Sequence, residues 1–135
     1  MAQLYLLDTN ILIAALRGDA QVKSHLETTP LDALRLSSIV LGELAFGVEK
    51  SRYGQRNRTR LNALTERLLI VGVDAEVALH YGAIRHALEK QGTMIGANDL
   101  WIAAQTLSLG ATLVTDNQGE FQRVPGLKSL NWIER

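Results

Sequence analysis

The sequence contains no cysteine, only two prolines and few aromatic residues, which make up 5% of its 135 positions. The lack of cysteine excludes disulfide bonds and thiolate metal sites. No stretch approaches the roughly 18 consecutive apolar residues that a membrane span requires, and the apolar run at 4–7 is too short for the core of a signal peptide. We therefore expect a soluble, cytoplasmic protein that does not associate with membranes.

Neither sign of charge dominates, because Lys and Arg total 14 and Asp and Glu also total 14. The net charge therefore favours no particular partner. The basic residues are unevenly distributed, since six of them lie within 50–67, where Glu66 is the only acid. Most are Arg, whose side chain binds phosphate well, and Arg56, Arg58 and Arg60 form the densest cluster. A solvent-exposed helix face and a nucleic-acid contact surface both explain such a segment.

Apolar residues account for 47% of the chain, which is enough for a single folded domain over 1–135. Short apolar runs predict buried strands, and apolar residues at helical spacing predict helices between them. The strands are expected at 4–7, 35–38, 69–73, 112–115 and about 130–132. The helices are expected at 11–17, 19–28, 39–48, 53–67, 75–91 and 98–109. This alternation predicts an α/β fold, in which a mainly parallel central sheet lies between layers of helices.

Acidic residues recur where the predicted strands end or the next helices begin. Asp8, Asp74 and Asp116 directly follow strands, Glu43 lies early in the helix at 39–48, and Asp99 lies at a helix start. Because parallel strands end at one edge of a sheet, these acids are expected to converge there. Clustered carboxylates repel one another unless a cation neutralises them. Oxygen ligands favour Mg²⁺ or Mn²⁺, which activate water and stabilise charge on a phosphodiester.

Each acid also has a structural interpretation. Asp8 and Asp99 can cap the helices that follow them, and for Asp74 we favour the helix cap over a metal-binding role. For Asp116, the structural interpretation is a place in the turn that follows the strand, with no role in a site. Glu43 is harder to explain in this way, because its helix is largely apolar and an unpaired charge there is costly.

Four sequence motifs resemble those of PIN-domain ribonucleases, and in particular VapC toxins of bacterial toxin–antitoxin pairs. They are LDTN at 7–10, SSIVLGEL at 37–44, GANDLWIAA at 96–104 and LVTDNQGEF at 113–121. The resemblance extends over essentially the whole chain and includes RVPGL at 123–127. It implies a single PIN domain, with the three-layer sandwich of that family, and a metal-dependent endoribonuclease activity.

By this resemblance, Asp8, Glu43 and Asp99 match the three principal acids of the family, which hold one or two Mg²⁺ or Mn²⁺ ions. We predict Asp116 as the fourth catalytic and metal-binding acid. Many family members carry that acid one residue later, where this chain has Asn117. Glu120 is therefore an alternative fourth acid, and Asn117 can orient a metal-bound water.

Thr9 and Ser38 match the polar positions that support the family's site, and we predict the same role for Asn117. The resemblance further implies a VapB-type antitoxin that blocks the site, a homodimer, and a larger hetero-oligomer with the antitoxin. The implied substrate is a structured RNA, either the anticodon region of a tRNA or a ribosomal RNA loop, whose cleavage inhibits translation. Arg56, Arg58 and Arg60 are predicted to contact that RNA or the antitoxin.

Two other functions compete with this prediction. A phosphotransfer domain would share the α/β fold, but a phosphatase of that kind needs a second Asp where Asn10 stands. A receiver domain needs an acid pair at the first strand, which the sequence lacks. The other competitor is a PIN scaffold that binds a partner without catalysis, and the presence of four candidate acids argues against it.

Overall fold

A computed structural model describes residues 3–135 of the chain, and its central feature is a parallel sheet. The strands are β1 (Tyr5–Leu7), β2 (Leu34–Ser37), β3 (Leu69–Val71), β4 (Thr112–Val114) and β5 (Ser129–Leu130). The helices are α1 (Thr9–Leu16), α2 (Ala20–Thr28), α3 (Ser38–Lys50), α4 (Gly54–Thr65), α5 (Ala75–Gln91), α6 (Ala97–Leu109) and α7 (Gln118–Phe121). A short 3-10 helix, Leu31–Ala33, precedes β2.

The sheet has the strand order β3-β2-β1-β4-β5, and every neighbouring pair is parallel. Strand β1 lies at the centre, where Tyr5 pairs with Leu34 of β2 on one side and Thr112 of β4 on the other. All strands therefore end at the same edge of the sheet. The prediction of an α/β sandwich with a mainly parallel sheet is confirmed.

The central strands are buried because helices cover both faces of the sheet. Leu6, Leu7, Leu36, Leu113 and Val114 are fully buried, as expected for unbroken apolar runs in a covered parallel sheet. Helix α6 is the most deeply enclosed helix and packs against α5, α3 and β4. Its buried residues are Leu100, Ile102, Ala103, Ala104, Gln105 and Thr106.

Side chains and glycines set the helix ends as the sequence predicts. The Asp74 carboxylate accepts a hydrogen bond from the Val77 amide at 2.9 Å, which confirms its role as the cap of α5. Helices α5 and α6 end at Gly92 and Gly110, whose φ angles of 68° and 64° are left-handed. Glycine adopts this conformation without the steric cost that a Cβ atom imposes.

The described elements depart from the predicted ones mainly at the edges of the sheet. Strand β3 ends at Val71 instead of residue 73, and 58% of Leu69 is exposed because β3 is an edge strand. The last strand is displaced to Ser129–Leu130, and Trp132, predicted within it, is buried beyond its end and stacks on His25. Of the helices in residues 3–135, none combines the length and apolar character needed to cross a lipid bilayer.

Candidate active site

Asp8 is a buried carboxylate at the end of the central strand, with 4% of the residue exposed. Its Oδ1 atom accepts a hydrogen bond from the Thr9 amide at 2.8 Å, which caps α1. Its Oδ2 atom accepts one from the Thr115 hydroxyl at 2.8 Å and a longer one from Asn10 at 3.4 Å. Burial raises the pKa of Asp8, and the bonds from Thr115 and Thr9 oppose that rise. Asp8 thus caps a helix and also faces the sheet edge where the other acids lie.

Asp99 is the most perturbed acid of the group and lies in the first turn of α6. Burial, then the negative charges of Asp8 and Glu120, raise the pKa of Asp99 to about 7. Glu43 faces the same region from α3. Burial and the charge of Asp8 raise the pKa of Glu43, whereas Thr9 lowers it. The structure therefore brings the three principal acids within electrostatic reach of one another.

Glu120 completes this group from the start of α7. Its two carboxylate oxygens accept hydrogen bonds from the Gly96 amide at 3.0 Å and from the Asn117 side chain at 2.7 Å. These bonds, that from Gly96 foremost, lower the pKa of Glu120. The Asp99 and Glu120 carboxyl groups lie close together beside Gly96, where a Cβ atom would meet Asp99 Oδ2 at 3.4 Å and Glu120 Oε1 at 4.0 Å. The pKa of Asp99 is raised and that of Glu120 is lowered, so Asp99 is the more readily protonated of the two carboxyl groups.

Asp116 is directed away from this group, towards the C-terminal segment. Its carboxylate accepts hydrogen bonds from the Arg135 guanidinium at 2.5 and 2.7 Å and from the Asn131 side chain at 3.0 Å. The bonds from Arg135 lower the pKa of Asp116 to about 2. Asp116 is not among the main causes of the pKa shifts of Asp8, Glu43 or Asp99. The structure therefore places Glu120, and not Asp116, beside Asp8 and Asp99.

The three predicted supporting residues, Thr9, Asn117 and Ser38, have different surroundings in the structure. The Thr9 hydroxyl is buried and makes no hydrogen bond of ordinary geometry, although it lies close enough to Glu43 to lower the pKa of that carboxyl. Asn117 binds Glu120 with its side chain, and its amide donates to the Thr115 hydroxyl at 3.0 Å. Ser38 is exposed at the start of α3. The preceding residue, Ser37, is the one that caps that helix.

Thr115 is a site residue that the sequence motifs did not single out. It follows β4, and β4 pairs with β1 in a register that aligns Val114 with Leu7. The next residues, Thr115 and Asp8, therefore lie side by side. That register depends on which strands are neighbours, which the order of strands along the chain does not reveal.

The basic helix α4 approaches the acids at one point. Arg60 lines a groove of about 390 Å³ together with Arg17 and Glu43, and apolar side chains of α1, α3 and α4 form its walls. Arg58 is held differently, in an ion pair with Glu49. Arg56 is exposed. Of the three predicted arginines, Arg60 is the one that the structure places in this groove.

The donor chemistry of the acid group suits Mg²⁺ or Mn²⁺, since carboxylate oxygens are the ligands that these ions prefer. The raised pKa of Asp99 indicates the electrostatic cost that a cation would remove. In the side-chain positions of residues 3–135, however, no three acids or histidines are close enough to surround an ion. The residues fit a divalent metal by the type of their ligand atoms and by their place at one edge of the sheet, but in these side-chain positions they do not surround an ion.

Comparison with known proteins identifies the family of the chain. A profile of the PIN-domain family matches residues 5–127, a range that contains all four acids. The chain belongs to the PIN-domain family. This PIN domain is 39% identical over 131 residues to ribonuclease VapC2 of Rickettsia felis, with 96% of the chain and 98% of that protein covered. It is 36% identical to the tRNA(fMet)-specific endonuclease VapC of Shigella flexneri, covering 95% of the chain and 97% of the relative.

Solved structures extend the similarity to the fold. The PIN domain superimposes on a chain of the DNA-bound VapBC complex of Salmonella typhimurium with a TM-score of 0.92 at 32% identity, covering 98% of this chain and 100% of the other. A chain of VapBC2 from Rickettsia felis, bound to a promoter DNA fragment, gives a TM-score of 0.90 at 38% identity, with 97% and 100% covered. The predicted resemblance to PIN-domain ribonucleases of the VapC group is confirmed.

The raised pKa of Asp99 predicts how the stability of the metal-free protein depends on pH. The unfolded chain releases this proton near the ordinary pKa of 3.8, whereas the folded chain keeps it to about pH 7. The protonated Asp99 carboxyl therefore contributes fully to the stability of the folded chain below about pH 4, and this contribution is lost as the pH rises through about 7. In EDTA, we expect the melting temperature of the parent protein to fall between about pH 5 and pH 7 and then to level off, and that of Asp99→Asn to fall less.

Asp116→Asn is the matched control for this measurement. The pKa of Asp116 is lowered to about 2, so its carboxylate stays ionised throughout that pH range. The Asp116→Asn variant should therefore retain the pH dependence of the parent protein. An equal pH dependence in the parent and in Asp99→Asn would mean that Asp99 does not carry this proton.

Proposed function

We propose that this protein is a Mg²⁺- or Mn²⁺-dependent endoribonuclease, the toxin of a toxin–antitoxin pair. The observation that carries the proposal is the convergence of Asp8, Glu43, Asp99 and Glu120 at the carboxyl edge of the sheet. The relatives named as ribonucleases and as a tRNA(fMet)-specific endonuclease support it, because they cover nearly the whole chain.

The four acids would hold the ion, with Glu120 in place of Asp116 as the fourth. When bound, the metal supplies an activated water and stabilises negative charge on the phosphodiester. The protein's own residues orient the ligands. Thr115 and the Thr9 amide fix the two oxygens of Asp8, and Asn117 and the Gly96 amide fix those of Glu120. Asp99 must give up its proton to bind a cation, which its pKa of about 7 allows near neutral pH.

The most general consequence is metal-dependent cleavage that requires the central carboxylates. The purified chain should cut a structured RNA internally with Mg²⁺ or Mn²⁺, excess EDTA should stop the reaction, and Asp8→Asn should abolish it.

Expression of the parent without an antitoxin should arrest growth, and expression of Asp8→Asn at an equal protein level should not. Cleavage that persists in excess chelator, or an Asp8→Asn variant as active as the parent, would exclude this mechanism and leave a non-catalytic scaffold as the alternative.

The identity of the fourth acid is testable by a paired substitution. Glu120→Gln should lower the cleavage rate by on the order of 100-fold, because it removes a charge from the metal site. Asp116→Asn should change the rate little, because the Asp116 carboxylate serves Arg135 and Asn131. Initial rates at saturating Mn²⁺ decide between them, with circular dichroism to verify folding. If Asp116→Asn is the variant that loses activity, Asp116 is the fourth acid.

We propose that the RNA backbone passes over the groove between α1, α3 and α4. Its lining joins Glu43 of the acid group to two cations, Arg17 and Arg60, so a phosphate bound by the arginines would lie beside the acids. A structured RNA fits the proposal, and a tRNA is the first substrate to test because a relative that is 36% identical is named for one.

Arg60 and Arg58 provide a matched pair for testing this path. Arg60→Gln should weaken RNA binding and reduce the slope of log affinity against log salt by about 1, since one phosphate contact is lost. Arg58→Gln removes the same charge from the same helix, but Arg58 is paired with Glu49 and should matter less. Filter binding at several salt concentrations measures both slopes. An unchanged slope for Arg60→Gln, together with lost antitoxin binding, would assign Arg60 to the antitoxin.

The partner is proposed to be a VapB-type antitoxin, because the solved relatives are VapBC complexes. Two large apolar side chains, Phe46 and Leu79, are 64% and 77% exposed and are candidates for burial against a partner. The homodimer and the larger hetero-oligomer stay predictions. We expect the protein to act in the cytoplasm, where its RNA substrate lies.

A further inference from the structure

Gln105 is a polar side chain in the most enclosed helix of the fold, and only 1% of the residue is exposed. A buried amide without hydrogen-bond partners is costly. Its buried neighbours on α6, such as Ile102 and Ala103, are apolar. The Gln105 amide therefore needs hydrogen-bond partners at this position, which an apolar side chain would not need.

The Gln105 side chain bonds three groups outside its own helix. Its Nε2 atom donates to the carbonyl oxygens of Val71 and Gly72 at 3.2 and 3.1 Å. Its Oε1 atom accepts a hydrogen bond from the Ser37 hydroxyl at 2.5 Å. Ser37 and Val71 are paired in the parallel ladder of β2 and β3. The amide thus joins α6 to two adjacent strand ends, with both of its N–H donors used.

Ser37 extends the connection to a second helix. Its Oγ atom accepts a hydrogen bond from the Ile39 amide at 3.0 Å and caps α3. The same hydroxyl therefore fixes the start of α3 and donates to Gln105 on α6. Because a hydroxyl has one proton to donate and lone pairs to accept, both bonds form simultaneously.

The Ser37–Gln105 bond joins the two helices that carry the candidate metal ligands Glu43 and Asp99. Glu43 is six residues beyond Ser37 on α3, and Asp99 is six residues before Gln105 on α6. At about 1.5 Å per residue, each acid lies about 9 Å along its helix from the buried bond. A shift or rotation of α6 against α3 would move Asp99 relative to Glu43, and the Ser37–Gln105 bond opposes that movement.

We propose that Gln105 is a positioning residue, which acts through Ser37 and the end of β3 to hold Asp99 opposite Glu43. The inference rests on the proposed function, since it concerns the same metal site. The hydrogen bonds of the Gln105 side chain go to neither of these acids. Its contribution is to the relative placement of two helices.

Gln105→Met, compared with Thr106→Val, tests this role. Met has a similar length but cannot donate, so the connection to Val71, Gly72 and Ser37 is lost. Thr106 is equally buried on the same helix, but its hydroxyl bonds only the Ile102 carbonyl within that helix. Calorimetric titration of the full chain with Mn²⁺, and kcat and KM for RNA cleavage, are measured at a temperature where both variants are folded.

We expect Gln105→Met to weaken Mn²⁺ binding about 10-fold or more and to lower kcat by on the order of 100-fold with little change in KM. Thr106→Val should keep the parent's Mn²⁺ affinity and kcat. Equal behaviour of the two variants, with a parent that binds Mn²⁺ and cleaves RNA, would overturn the positioning role alone. A parent that neither binds Mn²⁺ nor cleaves RNA would overturn the proposed function and this inference with it.

Ser37→Ala provides a second test if Gln105→Met does not fold. It removes the bond to Gln105 and the cap of α3, so its control is Asp19→Ala, which removes the cap of α2. Ser37→Ala should weaken Mn²⁺ binding, whereas Asp19→Ala should only lower the melting temperature. Unchanged Mn²⁺ affinity in Ser37→Ala would contradict the proposal.

Discussion

The burial of the Asp8 carboxylate at the end of the central strand is the constraint on which the candidate site depends. A buried carboxylate is tolerated only when hydrogen bonds replace the water it has lost, and Thr115 and the Thr9 amide supply them. Asp99 and Glu43 add like charges nearby. Two unit charges about 4 Å apart repel by roughly 4 kcal/mol at an effective dielectric constant of about 20. The folded chain therefore either keeps a proton on Asp99 or binds a cation.

The rest of the fold supplies the rigidity that keeps these charges together. The parallel sheet brings all strand ends to one edge, and the apolar side chains of β1 and β4, including Leu6 and Leu113, anchor the centre of that edge in the core. Helices α3 and α6 carry Glu43 and Asp99 over it. The buried Gln105 amide joins α6 to the start of α3 and to the end of β3. Close packing of the core thus provides the stability that offsets the repulsion between the acids.

The sequence predicted features that depend on local patterns and missed those that depend on distant contacts. Unbroken apolar runs identified the central strands, and the acids that follow strands or begin helices identified Asp8 and Asp99 as neighbours. The fourth acid was harder, because Asp116 and Glu120 lie four residues apart and both fit a loop after a strand. Their side-chain directions depend on Arg135, which binds Asp116, and on Gly96, which binds Glu120. Neither contact can be inferred from the sequence around Asp116 and Glu120.

We propose that one divalent-metal site forms from acids at the carboxyl edge of the sheet, with Glu120 and without Asp116. The most direct measurement is an anomalous difference map from crystals of the full chain soaked in Mn²⁺. We expect a peak whose nearest protein atoms are carboxylate oxygens of Asp8, Asp99 and Glu120, with the Glu43 carboxylate facing it. A well-occupied peak beside Asp116, with none at Asp8 and Asp99, would contradict this site.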